Sequence, residues 1–248
     1  MEALNTMAPV VLRANALKTI PKLLRNALLE EKIKTQTIAK YPDALVLDER
    51  ANVFSTESFK RGWFEVQDAA SQAVAPFTQV APGMRVIDAC AGAGGKVLHL
   101  AAMMGNKGKL IALDIHNYKL RELKRRAKRA GAYNIETRHI DNNKVIKKLH
   151  GSADRVLLDA PCSGLGVLRR NPDAKWKLNP DLIDRLVLEQ QKILIQYAHM
   201  VKPGGKLIYV TCSILPQENE EQIAAFKTTE IGKEYTLEKE QHLWPAAN

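Results

Sequence analysis

The sequence predicts an α/β fold, a parallel sheet with helices on both faces, preceded by a small α+β unit. Three observations lead there. From Met84 onward, short apolar runs alternate with segments of helical periodicity, and such alternation implies a parallel sheet. Residues 1–62 lack the alternation and read as strand, helix, strand. The chain of 248 residues is 46% apolar, enough for one large domain with a small appendage.

The elements follow in order. "APVVLRANAL" reads as a strand. "TIPKLLRNALLEE" places Ile20, Leu23, Leu24, Ala27 and Leu28 at helical spacing, with Thr19 as the expected cap and Pro21 early in the helix. "DALVLDE" reads as a second strand, and "WFEVQDAASQAVAPF" as a bridging segment and helix. Then "MRVIDAC" is a strand, "GGKVLHLAAMM" a helix and "KLIALDI" a strand. "NYKLRELKRRAKRAGA" is a helix with a stripe of Leu120, Leu123, Ala127 and Ala130, ending near Gly131. "NIETRHI" and "DRVLLDA" are strands. "NPDLIDRLVLEQQKILIQYAHMV" is a long helix, capped by Asn179 with Pro180 at its first position. "GKLIYVT" is a strand and "PQENEEQIAAF" a helix. The expected boundaries are 1–62 for the α+β unit and 63–248 for the α/β domain.

Composition narrows the class. No run approaches the roughly 18 apolar residues of a membrane span, and "MEALNTMAPV" lacks the pattern of a signal peptide. Three cysteines without metal-type spacing read as reduced thiols in a cytoplasmic protein with no metal site. His99, His116 and His139 have no metal-like partners and read as structural. The net charge is +10. Residues 101–150 hold 13 Lys+Arg against 4 Asp+Glu, a balance of +9. Such a local basic field fits a polyanionic partner such as nucleic acid.

Ligands of parallel sheets bind beyond the carboxyl ends of the strands, and the unusual residues lie there. "CAGAGGK" (Cys90, Ala91, Gly92, Ala93, Gly94, Gly95, Lys96) follows the first strand. Its small residues let backbone approach a ligand, and a helix N-terminus favours negative charge. Asp114 ends the second strand, where an acid commonly binds ribose hydroxyls. NAD and S-adenosylmethionine both fit. The dinucleotide pattern is incomplete, with Val97 where its third glycine belongs, and the spacing is not that of a P-loop. Asp141 follows the third strand. "DAPCSG" closes the fourth with Asp159 and Cys162, and "TCSI" closes the fifth with Cys212.

Two thiols at adjacent strand ends point to covalent chemistry. Methylation of cytosine carbon 5 needs such an inventory. A thiolate adding to carbon 6 makes carbon 5 nucleophilic toward a methyl sulfonium, and a nearby carboxyl group stabilises the adduct. A base then removes the carbon-5 proton as the thiol leaves.

The stretches "VQDAASQ" (66–72), "DACAGAGGK" (88–96), "ALDIH" (112–116), "LDAPCSGLGVLRRNPDAKW" (158–176) and "VKPGGKLIYVTCSILPQENE" (201–220) resemble, in order, the RNA (cytosine-5) methyltransferases of the Sun/RsmB-like group. "APVVLRANALK" resembles that family's small N-terminal RNA-binding unit. The resemblance implies a Rossmann-like S-adenosylmethionine-dependent fold acting on ribosomal RNA, with transfer RNA as the alternative. It implies Cys212 as nucleophile and Cys162 as the residue aiding release. It places Cys90–Lys96, Asp114, Asp141 and Asp159 around S-adenosylmethionine, and Asp159 and Lys96 beside the reacting base. There are departures. Gly92 and Ala93 stand where the family has Ala-Pro, and Val97 follows the lysine, so a more flexible loop is expected. The family's "DGFF"-like closing strand is not found.

Arg169, Arg170 and Trp176, just past Cys162, are expected to contact RNA phosphates or bases, as is Arg13. The target cytosine must leave its stack to be reached. Two rival readings remain: a DNA cytosine enzyme, which would use Cys162 alone, and a catalytically weak RNA-binding or assembly factor of the same fold.

Overall fold

In a computed structural model, the structure describes residues 6–244. The first five residues of the stretch read as lacking a signal peptide, and the last four of the expected α/β domain, lie outside the described residues. The chain divides into two compact units, Pro9–Val145 and the chain from Ile146 on.

The first unit begins with an antiparallel sheet of β1 (Val11–Ala14), β2 (Thr35–Ile38), β3 (Tyr41–Leu47) and β4 (Phe64–Val66), in the order β2-β3-β1-β4. Helix α1 (Pro21–Glu30) buries Leu24 and Leu28 against Leu12, Leu45 and Phe64. Each such leucine contributes roughly 2 kcal/mol of burial free energy. Two details differ from the sequence reading. Thr19 is not the helix cap: Ile20 holds that position without a side-chain bond, and Pro21 pre-sets the first turn. The stretch read as a bridge contains β4, which pairs Leu12 with Val66 and Arg13 with Glu65, so this sheet runs past residue 62. β2 and β4 have only four and three residues, too few for a period-two pattern to stand out.

The same unit continues into three parallel strands, β5 (Arg85–Asp88), β6 (Lys109–Asp114) and β7 (Ile135–His139), in the order β7-β6-β5. All of β6 except Lys109 is buried, as expected of a strand covered on both faces. Helix α2 (Gly95–Met103) joins β5 to β6, and α3 (Asn117–Ala130) joins β6 to β7. The predicted stripe of Leu120, Leu123, Ala127 and Ala130 is the buried face of α3. Gly131 ends that helix at φ +72°, a left-handed conformation that favours glycine.

The second unit holds β8 (Ala153–Asp159) parallel to β9 (Val201–Val210). Between them runs α4 (Pro180–Ala198), and α5 (Glu220–Thr228) follows. Asn179 caps α4, its Oδ1 accepting the Leu182 N–H at 2.8 Å. The class is that predicted: Rossmann-like parallel strands with flanking helices, plus an antiparallel sheet. No helix among the described residues is long and apolar enough to cross a membrane.

Candidate active site

The glycine-rich turn lies between β5 and α2. Cys90 N–H donates to Asp88 Oδ1 at 3.2 Å, and Ala91 N–H to the Leu113 carbonyl at 2.8 Å. Gly92 N–H donates to Asp114 Oδ2 at 2.8 Å, while Asp114 Oδ1 accepts the His116 N–H at 2.7 Å. Asp114 therefore ties the turn to the end of β6, and each of its oxygens retains a lone pair for a further donor. Gly94 needs to be glycine on two counts. Its φ is +92°, and a Cβ there would lie 2.6 Å from Leu123 Cγ. At Gly92 a Cβ would meet nothing within 4 Å, so the turn is open on that side. An open glycine turn, a helix N-terminus and a carboxylate at the next strand end fit an adenosyl amino-acid donor. Lys96 sits in the first turn of α2. Asp141, two residues beyond β7, is exposed and its Oδ1 accepts from Asn142 Nδ2 at 2.8 Å.

Arg13 is not where its expected role requires. It is 2% exposed, because β1 is buried on both faces: Leu12 and Ala14 face the apolar core and Arg13 the opposite, also covered, side. Its guanidinium donates to Gln67 Oε1 and, at 2.8 Å, to the Gly95 carbonyl. Burial pulls it down to about 10, still charged at neutral pH. It has no surface from which to meet a phosphate.

The thiols occupy the second unit. β8 and β9 are hydrogen-bonded neighbours in register from Arg155↔Lys206 to Asp159↔Val210, so the loops after them run side by side. Cys162 Sγ and Cys212 Sγ are 3.3 Å apart, and Cys212 N–H donates to Cys162 Sγ at the same 3.3 Å. Neither is in a disulfide, and Cys212 is the more exposed. The hydrogen bond to Cys212, burial, and the charge of an ionised Cys212 all push the Cys162 thiol up. Cys162 is therefore hard to ionise beside Cys212 as long as that neighbour carries charge.

Sequence reasoning missed what holds this pair. Glu218 is 0% exposed. Its carboxylate accepts Ser163 N–H and Gln190 Nε2–H at 2.8 and 2.9 Å, and also the Ser163 hydroxyl. Burial alone would raise this acid, but bonds from Ser163, Ser213 and Gln190 outweigh it and hold the carboxyl below its usual range. Ser163 Oγ meets Ser213 Oγ at 3.0 Å, linking the residue after each cysteine. Gly166 N–H donates to the Cys212 carbonyl at 2.9 Å, and a Cβ on Gly166 would lie 2.8 Å from that oxygen. The only sequence signal was an acid and a glycine near each thiol.

Asp159 ends β8, three residues before Cys162. Arg169 is half-buried and Arg170 exposed. Trp176 is 81% exposed; Lys175 Nζ lies over one face of its ring, 5.1 Å from the centre.

Comparison with known proteins adds to this geometry. The family described as 16S rRNA methyltransferase RsmB/F matches residues 77–242. A protein of Synechocystis sp. named probable ribosomal RNA small subunit methyltransferase B is 39% identical over 217 residues, 87% of this chain and 49% of its own. Ribosomal RNA small subunit methyltransferase B of Klebsiella pneumoniae is 38% identical, over 91% of this chain and 52% of its own. The chain thus spans about half the length of the curated relatives it matches. A crystal structure of a methyltransferase homolog protein from Pyrococcus horikoshii superposes with a TM-score of 0.79 and 30% identity, over 90% of this chain and 70% of that one.

Proposed function

The chain belongs to the 16S rRNA methyltransferase RsmB/F family, and on that premise we propose that it methylates carbon 5 of a cytosine in ribosomal RNA through a covalent cysteine adduct. The observation that carries the reading is the thiol pair, 3.3 Å between sulfurs, with the Cys162 thiol pushed up and Cys212 exposed. The methyl donor is S-adenosylmethionine, held by Cys90–Lys96 with Asp114, Asp141 and Asp159; when bound it supplies an electrophilic methyl group.

The residues divide the work. Cys212 thiolate adds through Sγ to carbon 6 of the base, and the ring electrons move toward carbon 5. Asp159 holds a proton against the ring nitrogen. After transfer, the carbon-5 proton leaves to a base, the 5,6 double bond re-forms and the Cys212 sulfur departs as thiolate. Cys162 is suited to that second half. Once Cys212 is a neutral thioether, its charge no longer opposes ionisation of Cys162, and its sulfur no longer accepts the Cys162 proton as a thiolate does. The Cys162 proton then passes to solvent, and the Cys162 thiolate takes the carbon-5 proton as Cys212 leaves. Arg169, Arg170 and Trp176 contact the RNA beside the extruded cytosine.

The test is methyl transfer from labelled S-adenosylmethionine to unmodified small-subunit ribosomal RNA, with the labelled nucleoside identified. Five-methylcytosine that disappears with Cys212→Ala, and RNA left covalently attached to Cys162→Ala, are the expected results. Label surviving in Cys212→Ala would refute the assignment of the nucleophile, and label appearing only in transfer RNA would refute the substrate.

A further inference from the structure

The glycine turn is held from behind by charged side chains that the reaction scheme does not use. Arg126 of α3 donates from Nη1 to the Ala93 carbonyl at 2.8 Å. Arg13 of β1 donates from Nη1 to the Gly95 carbonyl at 2.8 Å. Glu65 of β4, directly opposite Arg13 in register, takes Arg126 at 2.9 and 3.1 Å and also pairs with Arg129. Glu65 is almost fully buried and the two helix arginines are largely so.

Stability alone does not explain the cluster. Three guanidinium groups surround one carboxylate, and burying an ion costs several kcal/mol that apolar side chains of equal volume would avoid. Arg13 Nε and Arg129 Nε are buried without a hydrogen-bond partner, so the cluster is not optimised for its own satisfaction. Its defined output is two bonds to two carbonyls of one turn. That turn needs them. It contains three glycines and two alanines between Cys90 and Lys96, with left-handed φ at Gly92 and Gly94, and few side chains of its own to fix its path. The direction of a carbonyl also fixes its peptide partner. In a trans peptide N–H and C=O point oppositely, so anchoring the Gly95 carbonyl to Arg13 aims the Lys96 N–H the other way. That N–H belongs to the first turn of α2, whose amide groups have no helical acceptor and attract a carboxylate.

We propose that Arg126, held by Glu65, and Arg13, held by Gln67, are positioning residues for the methyl donor: they lock the Ala93–Gly95 turn so that the first amides of α2 face the donor's carboxylate. This rests on the reading of Cys90–Lys96 as the donor site. The residues touch the turn and not the donor.

Calorimetric titration of S-adenosylmethionine into the full chain tests it, with Arg126→Ala, Arg126→Lys and Leu24→Ala beside the parent. Loss of a charge-assisted bond to the turn is expected to weaken donor binding at least about tenfold in Arg126→Ala. Arg126→Lys, which keeps the charge and one donor, recovers part of the loss and serves where Arg126→Ala does not fold. In methyl transfer the change falls on KM for the donor, with kcat at saturation within about twofold. Leu24→Ala lowers Tm by emptying the core of the antiparallel sheet and leaves donor affinity unchanged. An Arg126→Ala or Arg126→Lys protein that binds like the parent would overturn the proposal, as would a Leu24→Ala protein weakened as much as Arg126→Ala. A parent that binds no donor would instead remove the reading beneath it, and the proposal with it.

Discussion

Replacing Glu218 by Gln separates what holds the thiol loops from what reacts in them. Four donors converge on the carboxylate: the Ser163 N–H, the Ser163 hydroxyl, the Ser213 hydroxyl and Gln190 Nε2. The amide has one acceptor oxygen and presents an NH2 on its other side, so at least one buried donor is left facing another donor. An unsatisfied buried group costs about 1–3 kcal/mol, and loss of charge assistance on the remaining bonds adds about 1 kcal/mol. Together that is about 2–4 kcal/mol. At about 2–4 °C per kcal/mol for a chain of this length, Tm falls by roughly 5–15 °C. The pH dependence gives a second reading of the same contact. The folded-state acid is depressed below its unfolded value. Its stabilisation is therefore full above the unfolded value of about 4.3 and is lost as pH falls through the folded value. Thermal melts of parent and Glu218→Gln between pH 7 and pH 3 should differ most at pH 7 and converge toward pH 3. Melts that coincide at pH 7, or that stay equally separated across the range, would refute the account of Glu218 as an ionised tie between the loops.

Two other perturbations follow from the same geometry. Gly166→Ala places a methyl 2.8 Å from the Cys212 carbonyl, closer than ordinary contact, so the two loops must part by several tenths of an ångström; methyl transfer should fall at least tenfold with a Tm loss under about 5 °C, and unchanged activity would show the loops to be slack. His99 is 4% exposed, and neither ring nitrogen is hydrogen-bonded. Burial lowers its pKa, with Arg13 adding to this and Asp43, 3.8 Å away, opposing it. Protonation therefore favours the unfolded chain below about pH 6.5. His99→Leu should lose less stability than the parent between pH 7 and pH 5, as read by urea melts at each pH, and parallel losses would count against a buried neutral imidazole.

Chemistry at strand ends was legible in the sequence, and the supports of that chemistry were not. Asp88, Asp114 and Asp159 each close a buried apolar run, and a parallel strand must deliver its next residues to the ligand side of the sheet. The two thiols could be paired because β8 and β9 are neighbours, which their order in the alternation already favoured. Glu218 reads in the chain as one acid among several at a helix start. Its burial depends on Ser163 and Gln190, 55 and 28 residues away, and no local pattern records that choice. Arg13 misled for a related reason. A basic residue in a basic protein reads as a phosphate contact, while the register that sets it opposite Glu65 involves β4, a strand of three residues.

The supports also bear on why a reactive pair can sit in an open position. Two sulfurs at 3.3 Å exchange a proton readily only if neither loop drifts. The chain meets this with bonds around the sulfurs as well as the one between them. Bonds to Glu218 restrain Ser163 next to Cys162, the Ser163–Ser213 hydroxyl contact reaches the residue after Cys212, and Gly166 holds the Cys212 carbonyl. These restraints act on the backbone of both loops and on the residue after each cysteine. In the proposed reaction, an adduct that must both form and break requires backbone held still on either side of the nucleophile. It follows that cutting the restraint should harm release as much as attack. In Glu218→Gln, RNA should remain attached to Cys212 longer than in the parent, and a denaturing gel that shows no retained RNA while turnover is slowed would place the whole effect on the first step.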